Sequence, residues 1–180
     1  MGGVDVLVNN AGINRGYASE EFPIVEFDKV LSINLRAVFL LSQQAIRYFL
    51  KHNKSGVIVN NSNNHEIVPK PGFVAYSVSK GGLGNLTRTL ALEYAGRKIR
   101  VNAVAPGATV TPLNASWTDD PQKRKKVEEH IPLGRVAEAE EVAGVFSFLA
   151  SDDAAYITGQ TIYADGGLSL FPEYRENWAS

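Results

Sequence analysis

The chain of 180 residues contains no cysteine, and neither sign of charge dominates it. The absence of cysteine excludes disulfide bonds, thiolate metal ligands and thiol nucleophiles, and it favours the cytoplasm as the default compartment. The 18 Lys and Arg residues nearly balance the 19 Asp and Glu residues, which leaves a formal net charge of −1. Such a chain has no general attraction to nucleic acid or to anionic lipid, so we expect neither as a partner.

The sequence also lacks a long apolar run and the features of a signal peptide. No stretch approaches the roughly 20 apolar residues of a membrane span, and the start MGGVDVLVNNAG has no charged segment before its apolar residues. We therefore expect a soluble protein without a membrane partner. The content of 44% hydrophobic and 21% charged residues is typical of a globular domain, and the length predicts one domain over residues 1–180.

Four short apolar segments alternate with three stretches of helical periodicity. The segments predict strands over residues 4–10, 56–61, 99–105 and 160–164, because they are Val-rich or apolar and end in turn residues. Apolar residues at helical spacing predict helices over 27–49, 75–95 and 139–149. Strands alternating with helices indicate the α/β class, with a parallel sheet covered by helices on both faces.

Small and polar residues follow the strands, where a parallel sheet of this kind binds its ligands. Three clusters stand at these strand ends: Asn9, Asn10, Ala11 and Gly12; Ser62, Asn63 and Asn64; Pro106, Gly107, Ala108 and Thr109.

Tyr76 and Lys80 stand four residues apart near the start of the second helix, so they share one helix face. A lysine ammonium in this position can stabilise a phenolate and lower the pKa of the tyrosine. The spacing is common, and an exposed Tyr and Lys pair without function is the alternative.

Four motifs in a fixed order, NNAG, YSVSK, VNAVAPG and TGQTIYADGG, resemble the short-chain dehydrogenase/reductase family over essentially the whole chain. The stretches NHEIVPKPGFVAYSVSKGG, LALEYA and IPLGRVAEAEEVA are similar to the glucose 1-dehydrogenase-like branch. The resemblance implies a Rossmann-like, doubly wound sheet. It also implies an oxidoreductase that passes a hydride between NAD or NADP and a carbonyl or secondary alcohol, for which a sugar or polyol is one candidate.

The resemblance assigns a role to each matching residue. Tyr76 is the general acid/base, Lys80 holds the nicotinamide ribose, and the main chain of Asn34 anchors a water that leads to Lys80. The residues that line the dinucleotide are Asn9, Ala11 and Gly12 on the adenosine side, and Pro106, Gly107, Thr109 and Thr111 on the loop that faces the nicotinamide and pyrophosphate.

Family members begin with a strand, a Gly-rich turn and a helix that bind the pyrophosphate, and the sequence has no counterpart of them. We therefore expect an N-terminally truncated fold with strands 4-5-6-7 of the family order, weak binding of NAD or NADP, and weak or no activity of this chain. A catalytically silent, truncated homologue that acts only as an oligomerising remnant is the alternative function.

Asn63 stands where the family has its catalytic Ser, with Ser62 beside it. A shift of one residue at a strand end turns a side chain to the opposite face, so Ser62 should not replace it. Asn63 can still donate an amide N–H to a substrate carbonyl, although it cannot pass a proton as a hydroxyl does. His65 and Glu66 either touch a polyol substrate or form a loop pair held by local hydrogen bonds. His52 and His130 have no second ligand at metal spacing, so we expect no metal.

Three apolar surfaces predict a homo-oligomer. They are the first strand, the two long helices through which the family forms dimers, and the aromatic tail over residues 168–180. We expect the tail to dock on a neighbouring subunit or on its own core. The other predicted partner is a small-molecule carbonyl or alcohol substrate.

Overall fold

The computed structural model describes residues 3–170, and within them four parallel strands form one sheet in the order β1-β2-β3-β4. The strands are β1 (Val6–Asn9), β2 (Gly56–Asn61), β3 (Ile99–Pro106) and β4 (Thr161–Ala164). All four predicted strands are present, with ends that differ by at most two residues. The predicted Rossmann-like α/β class is thereby confirmed.

Six α-helices accompany the strands in the described part of the chain: α1 (Ile24–Leu31), α2 (Ala37–Lys51), α3 (Val74–Tyr94), α4 (Ala115–Thr118), α5 (Pro121–Glu128) and α6 (Ala139–Ala150). The helix predicted over 27–49 differs most from the prediction. It starts at Ile24, and a π-helical turn over Ser32–Arg36 separates α1 from α2. The spacing of apolar residues did not indicate this turn, because Leu31, Leu35 and Val38 keep helical spacing across it.

The sheet buries apolar side chains on both faces. On one face Phe49 of α2 and Leu90 of α3 pack with Ile58 of β2. On the other face Val142 and Leu149 of α6 pack with Val59, the next residue of β2. Because successive side chains of a strand point to opposite faces, a central strand covered on both sides needs the continuous apolar run seen in the sequence.

The strand register brings the carboxyl ends of the first three strands together. Asn9 at the end of β1 pairs with Asn60, and Asn60 pairs with Ala103 of β3. The loops that follow β1, β2 and β3 therefore begin side by side at one edge of the sheet, which is where ligands of doubly wound sheets bind.

The first strand is paired on one side and partly uncovered. In residues 3–170, β1 pairs with β2 alone, and Val4, Val6 and Val8 are 43%, 40% and 47% exposed. The prediction that the aromatic tail docks on a subunit or core concerns mainly residues 171–180, which lie outside the described residues. No helix in residues 3–170 is long and apolar enough to cross a membrane.

Candidate active site

Tyr76 and Lys80 lie in the first two turns of α3, beside the end of β2. Lys80 is only 4% exposed, and its Nζ donates a hydrogen bond of 2.7 Å to the main-chain carbonyl of Asn61. The same Nζ is 5.4 Å from the centre of the Tyr76 ring. The structure thus places the pair predicted from the sequence on one buried face of α3.

The pKa of Tyr76 moves in the direction opposite to the prediction. Burial raises it to about 12, whereas we expected the Lys80 ammonium to lower it. The ammonium is bonded to the Asn61 carbonyl and does not lie against the phenol oxygen, so desolvation of the phenolate prevails. Burial also lowers the pKa of Lys80 to about 8, and the charge of Glu66 opposes this shift. At neutral pH the tyrosine is protonated and the lysine is mostly charged.

Asn34 lies in the π-helical turn and is almost fully buried. Its Oδ1 accepts a hydrogen bond of 2.9 Å from the Ile13 N–H, and its Nδ2 donates to the Ile13 carbonyl at 2.8 Å. Nδ2 also donates to the Ser79 hydroxyl at 3.1 Å. The side chain therefore joins the loop after β1 to α3, while the main-chain role that the resemblance assigns to Asn34 stays a prediction.

Of the residues after β1 that are predicted to line the cofactor, one is buried in the core and two are exposed. Asn9 is 5% exposed, and its Nδ2 donates to Asn60 and Ser42 inside the core. Its side chain thus supports the sheet, which differs from the lining position that the resemblance implies. Ala11 and Gly12 are exposed. A Cβ at Gly12 would lie 3.9 Å from Nζ of Lys80, so this glycine borders the site.

Ser62 and Asn63 point to different partners, as the alternation of side chains predicts. The buried Ser62 hydroxyl donates to Oε2 of Glu66 at 2.7 Å. Nδ2 of Asn63 donates to the Pro106 carbonyl at 3.0 Å, and its Oδ1 accepts the His65 N–H at 3.0 Å. Asn63 thereby connects the ends of β2 and β3 and retains one amide hydrogen, whereas the hydroxyl of Ser62 is already engaged.

The loop after β3 is held close to β4. The Gly107 N–H donates to the Ala164 carbonyl at 3.2 Å, and a Cβ at Gly107 would lie only 2.7 Å from Cβ of Asp165. Glycine is therefore required at this close approach. Thr109 is buried and its hydroxyl donates to the Gly107 carbonyl at 3.3 Å. Thr111 is partly exposed and leads into a 3₁₀ turn.

His65 and Glu66 have different surroundings. The His65 ring lies edge-on to the Tyr76 ring at 6.2 Å, and its Nδ1 is 2.9 Å from the Val68 carbonyl. Because a carbonyl only accepts, Nδ1 carries the proton and Nε2 is left as an acceptor. Burial lowers the pKa of His65. The Glu66 carboxylate accepts hydrogen bonds from Ser62, four residues earlier, and from Thr161 of β4. Only the first of these is a local hydrogen bond of the kind that our second interpretation expects, and contact with a polyol stays a prediction.

The residues present fit the ribose end of a nicotinamide dinucleotide. The Lys80 ammonium has three N–H donors, and one of them bonds to Asn61. Gly12 leaves open the space next to Nζ. Two donors thus remain for ribose hydroxyls at a buried position. A separate cavity of about 240 Å³ lies beside β4, lined by residues such as Leu133, Arg135 and Tyr163, and not by Tyr76.

Among the described residues no group of three His, Cys, Asp or Glu side chains is placed to hold a metal ion. The residues described above offer a phenol at Tyr76, an ammonium at Lys80, an amide at Asn63 and an imidazole at His65.

Relatives of known activity match the chain along its length. A glucose 1-dehydrogenase of Gluconobacter oxydans is 52% identical over 180 residues, which are 100% of this chain and 68% of that protein. The 3beta-hydroxysteroid dehydrogenase 1 of Eggerthella lenta is 49% identical over 175 residues, which are 97% of this chain and 67% of that protein. The chain thus spans about two thirds of the length of these relatives.

Solved structures agree with the sequence relatives. A gluconate 5-dehydrogenase from Burkholderia cenocepacia in complex with NADP and tartrate has a TM-score of 0.89 and 31% identity, covering 94% of this chain and 66% of that one. A 4-hydroxyisoleucine dehydrogenase complexed with NADH has a TM-score of 0.90 and 29% identity, covering 92% of this chain and 68% of that one. The family described as "Enoyl-(Acyl carrier protein) reductase" matches residues 1–169. The chain belongs to the short-chain dehydrogenase/reductase family.

Proposed function

We propose that the chain carries the catalytic residues of an NAD(P)-dependent oxidoreductase acting on a secondary alcohol or carbonyl. The observation that carries this proposal is the buried Lys80 ammonium beside Tyr76, with free N–H donors and open space at Gly12. Relatives named as a glucose and a hydroxysteroid dehydrogenase, and structural neighbours described with NADP and NADH, support the reaction class and leave the choice of dinucleotide open.

Tyr76 exchanges the proton of the reaction with the substrate oxygen. A nicotinamide dinucleotide held through its ribose by Lys80 would supply the hydride acceptor for alcohol oxidation and the hydride donor for carbonyl reduction. In oxidation the alcohol O–H proton goes to the Tyr76 phenolate, and in reduction the Tyr76 phenol returns it to the oxygen. Because burial raises the pKa of Tyr76 to about 12, the phenol is protonated at neutral pH and carries the proton that carbonyl reduction requires. Alcohol oxidation requires the phenolate, which forms more easily when the Lys80 ammonium moves closer to the phenol oxygen.

The His65 ring lies beside the Tyr76 ring, and Asn63 is bonded to the His65 N–H. The free amide hydrogen of Asn63 donates to the substrate oxygen, while its other bonds keep the amide fixed between Pro106 and His65. The Nε2 atom of a neutral His65 accepts a hydrogen bond from a further hydroxyl. A sugar or polyol offers such a second hydroxyl, so we favour this substrate class over simple alcohols.

Removal of the Tyr76 hydroxyl group tests the proposal. Tyr76→Phe is expected to lower NAD- or NADP-linked oxidation of sugars and polyols at least about 10²-fold, because it removes the proton-transferring group. Tyr156→Phe is the matched control, since Tyr156 is fully exposed. Initial rates are followed by the absorbance of the reduced nicotinamide. Equal rates for the Tyr76 variant and the unmodified chain would contradict the proposal, and no turnover of the unmodified chain with either dinucleotide would favour the silent homologue.

A further inference from the structure

The Glu66 carboxylate is buried among groups from three different elements. Its side chain is 3% exposed. It accepts a hydrogen bond of 2.7 Å from the Ser62 hydroxyl after β2 and one of 3.2 Å from the Thr161 hydroxyl of β4. On α3, Nη1 of Arg88 lies 3.6 Å from Oε1. A buried carboxylate is costly unless it is paired, so this set of partners indicates a specific structural role.

The surface of α3 is shaped to receive this carboxylate. A Cβ at Gly84 would overlap the carboxylate of Glu66, so the lack of a side chain at this position leaves the space that the carboxylate occupies. Lys80 precedes Gly84 by one helical turn and therefore lies on the same side of α3. Glu66 thus connects the helix that carries Tyr76 and Lys80 to the strand ends that face them.

The charge state of Lys80 depends on Glu66 and on the other charged groups around this carboxylate. Arg88 and Lys80 face it from α3, and Tyr163 faces it from β4 with Asp165 nearby. The Arg88 side chain is 55% exposed and its contact is long, so it neutralises the carboxylate only in part. Burial lowers the pKa of Lys80 to about 8, and the negative charge of Glu66 opposes this lowering. Without the carboxylate a larger share of Lys80 would be neutral near pH 8.

We propose that Glu66 is a positioning residue of this active site, which fixes α3 against the end of β2 and the start of β4 and supplies a counter-charge for the Lys80 ammonium. The catalytic meaning of this role rests on the proposed function. The structural and electrostatic role is a property of the chain alone, and it is measured without cofactor or substrate.

The experiment is an NMR titration of the full chain labelled with ¹³C at the lysine Cε, with the Lys80 signal assigned through Lys80→Met. Glu66→Gln removes the charge and keeps one of the two oxygen acceptors, while its NH2 group faces the other hydroxyl, which can accept a hydrogen bond instead of donating one. The pKa of Lys80 is expected to fall by about one unit in this variant. Glu66→Asp keeps the charge and should restore a part of that shift. Glu128→Gln is the matched control, because it breaks the ion pair of Glu128 with Arg124 on the distant α5.

An unchanged pKa of Lys80 in folded Glu66→Gln overturns the proposal, and so does an equal shift in the Glu128 control. If Glu66→Gln does not fold, Arg88→Gln decides. Loss of this cation leaves the carboxylate less neutralised, so the pKa of Lys80 should rise, and a fall or no change overturns the proposal. In active preparations the high-pH limb of kcat should also move to lower pH in Glu66→Gln. Undiminished activity of Tyr76→Phe would contradict the proposed function, but it would leave the titration result for Glu66 and Lys80 unchanged.

Discussion

The Asn63 side chain uses one amide hydrogen and its oxygen to join Pro106 and His65, so its replacement changes both chemistry and stability. Asn63→Ser introduces a hydroxyl that can bond to the substrate oxygen and pass a proton, and we expect kcat to rise about 10-fold or more. The variant should also lose about 1 kcal/mol of unfolding free energy with the two hydrogen bonds. Asn63→Ala loses the same bonds without gaining a hydroxyl, so it should be equally destabilised and no faster. Comparable rates of the two variants would show that the hydroxyl is not needed.

The buried Lys80 makes stability depend on pH. Its pKa is lowered from 10.5 to about 8 by burial, so between these values the unfolded chain keeps a proton that the folded chain has released. Stability from this group therefore rises with pH over that window, by about 3 kcal/mol in total, and is lost again as the pH falls to 8. Lys80→Met should abolish this gain in urea unfolding at pH 8 to 10, while Lys51→Met, on the surface of α2, should keep it. An equal pH slope in the Lys80 variant would argue against a buried ammonium.

Sequence spacing predicted that Tyr76 and Lys80 are neighbours, and it could not predict their ionisation. The direction of the Tyr76 shift was wrong because four-residue spacing gives a shared face and says nothing about burial. For Glu66 the sequence suggested either contact with a polyol substrate or a loop pair with His65, and neither interpretation includes a contact with β4. Its partner Thr161 is 95 residues away in the chain, so no local pattern could connect the two. The available signal was Gly84, a glycine inside a helix, which often marks a close approach.

The π-helical turn between α1 and α2 places Asn34 against the loop that follows β1. Asn34→Ala removes both hydrogen bonds to Ile13 and the one to Ser79, so we expect a loss of about 2 to 3 kcal/mol in unfolding free energy. The Ile13 amide should also exchange with deuterium much faster. Asn14→Ala is the control in the same loop, since the Asn14 side-chain oxygen is buried without a hydrogen-bond partner among the described residues. If the Ile13 amide stays protected in the Asn34 variant, the turn does not hold this loop.

Alternation of strands and helices predicted the elements that form the sheet and its two layers, because β2 and β3 are rich in apolar residues that pack on both faces and the helices have one apolar stripe. The spacing of apolar residues does not predict the short helices α4 and α5. The Pro121–Glu128 helix is mostly exposed and strongly polar, and it begins with Asp120 accepting hydrogen bonds from two N–H groups. Such a helix is specified by its N-terminal cap and not by an apolar stripe. A single cap residue is a weaker signal in a sequence than a repeated apolar spacing.

Several large apolar side chains remain exposed when the described residues are taken together. On β1 the side chains of Val6 and Val8 share one face, and Leu7, which points to the opposite face, packs against the core. On α1 and α2 the exposed residues include Ile24, Val25 and Leu41. A soluble monomer rarely exposes contiguous apolar patches of this kind, and an unprotected strand edge invites pairing with another chain. The predicted homo-oligomer is consistent with these surfaces and is not yet tested.

We expect the 180-residue chain to be a dimer or a larger species at micromolar concentration, because association covers the β1 surface and the helical surface of α1 and α2. Light scattering after size-exclusion chromatography measures the mass directly.

Val6→Lys combined with Val8→Lys puts two charges on the uncovered face of β1 and should lower the mass or weaken association at least 10-fold, since buried like charges repel. Tyr156→Lys is the control, because it adds a charge at a fully exposed side chain away from the strand. A monomeric unmodified chain would show that its apolar surfaces are covered within one copy. If the chain is oligomeric and the β1 variant keeps its mass, association instead runs through the helices, and Leu41→Lys on α2 is then the substitution that should dissociate it.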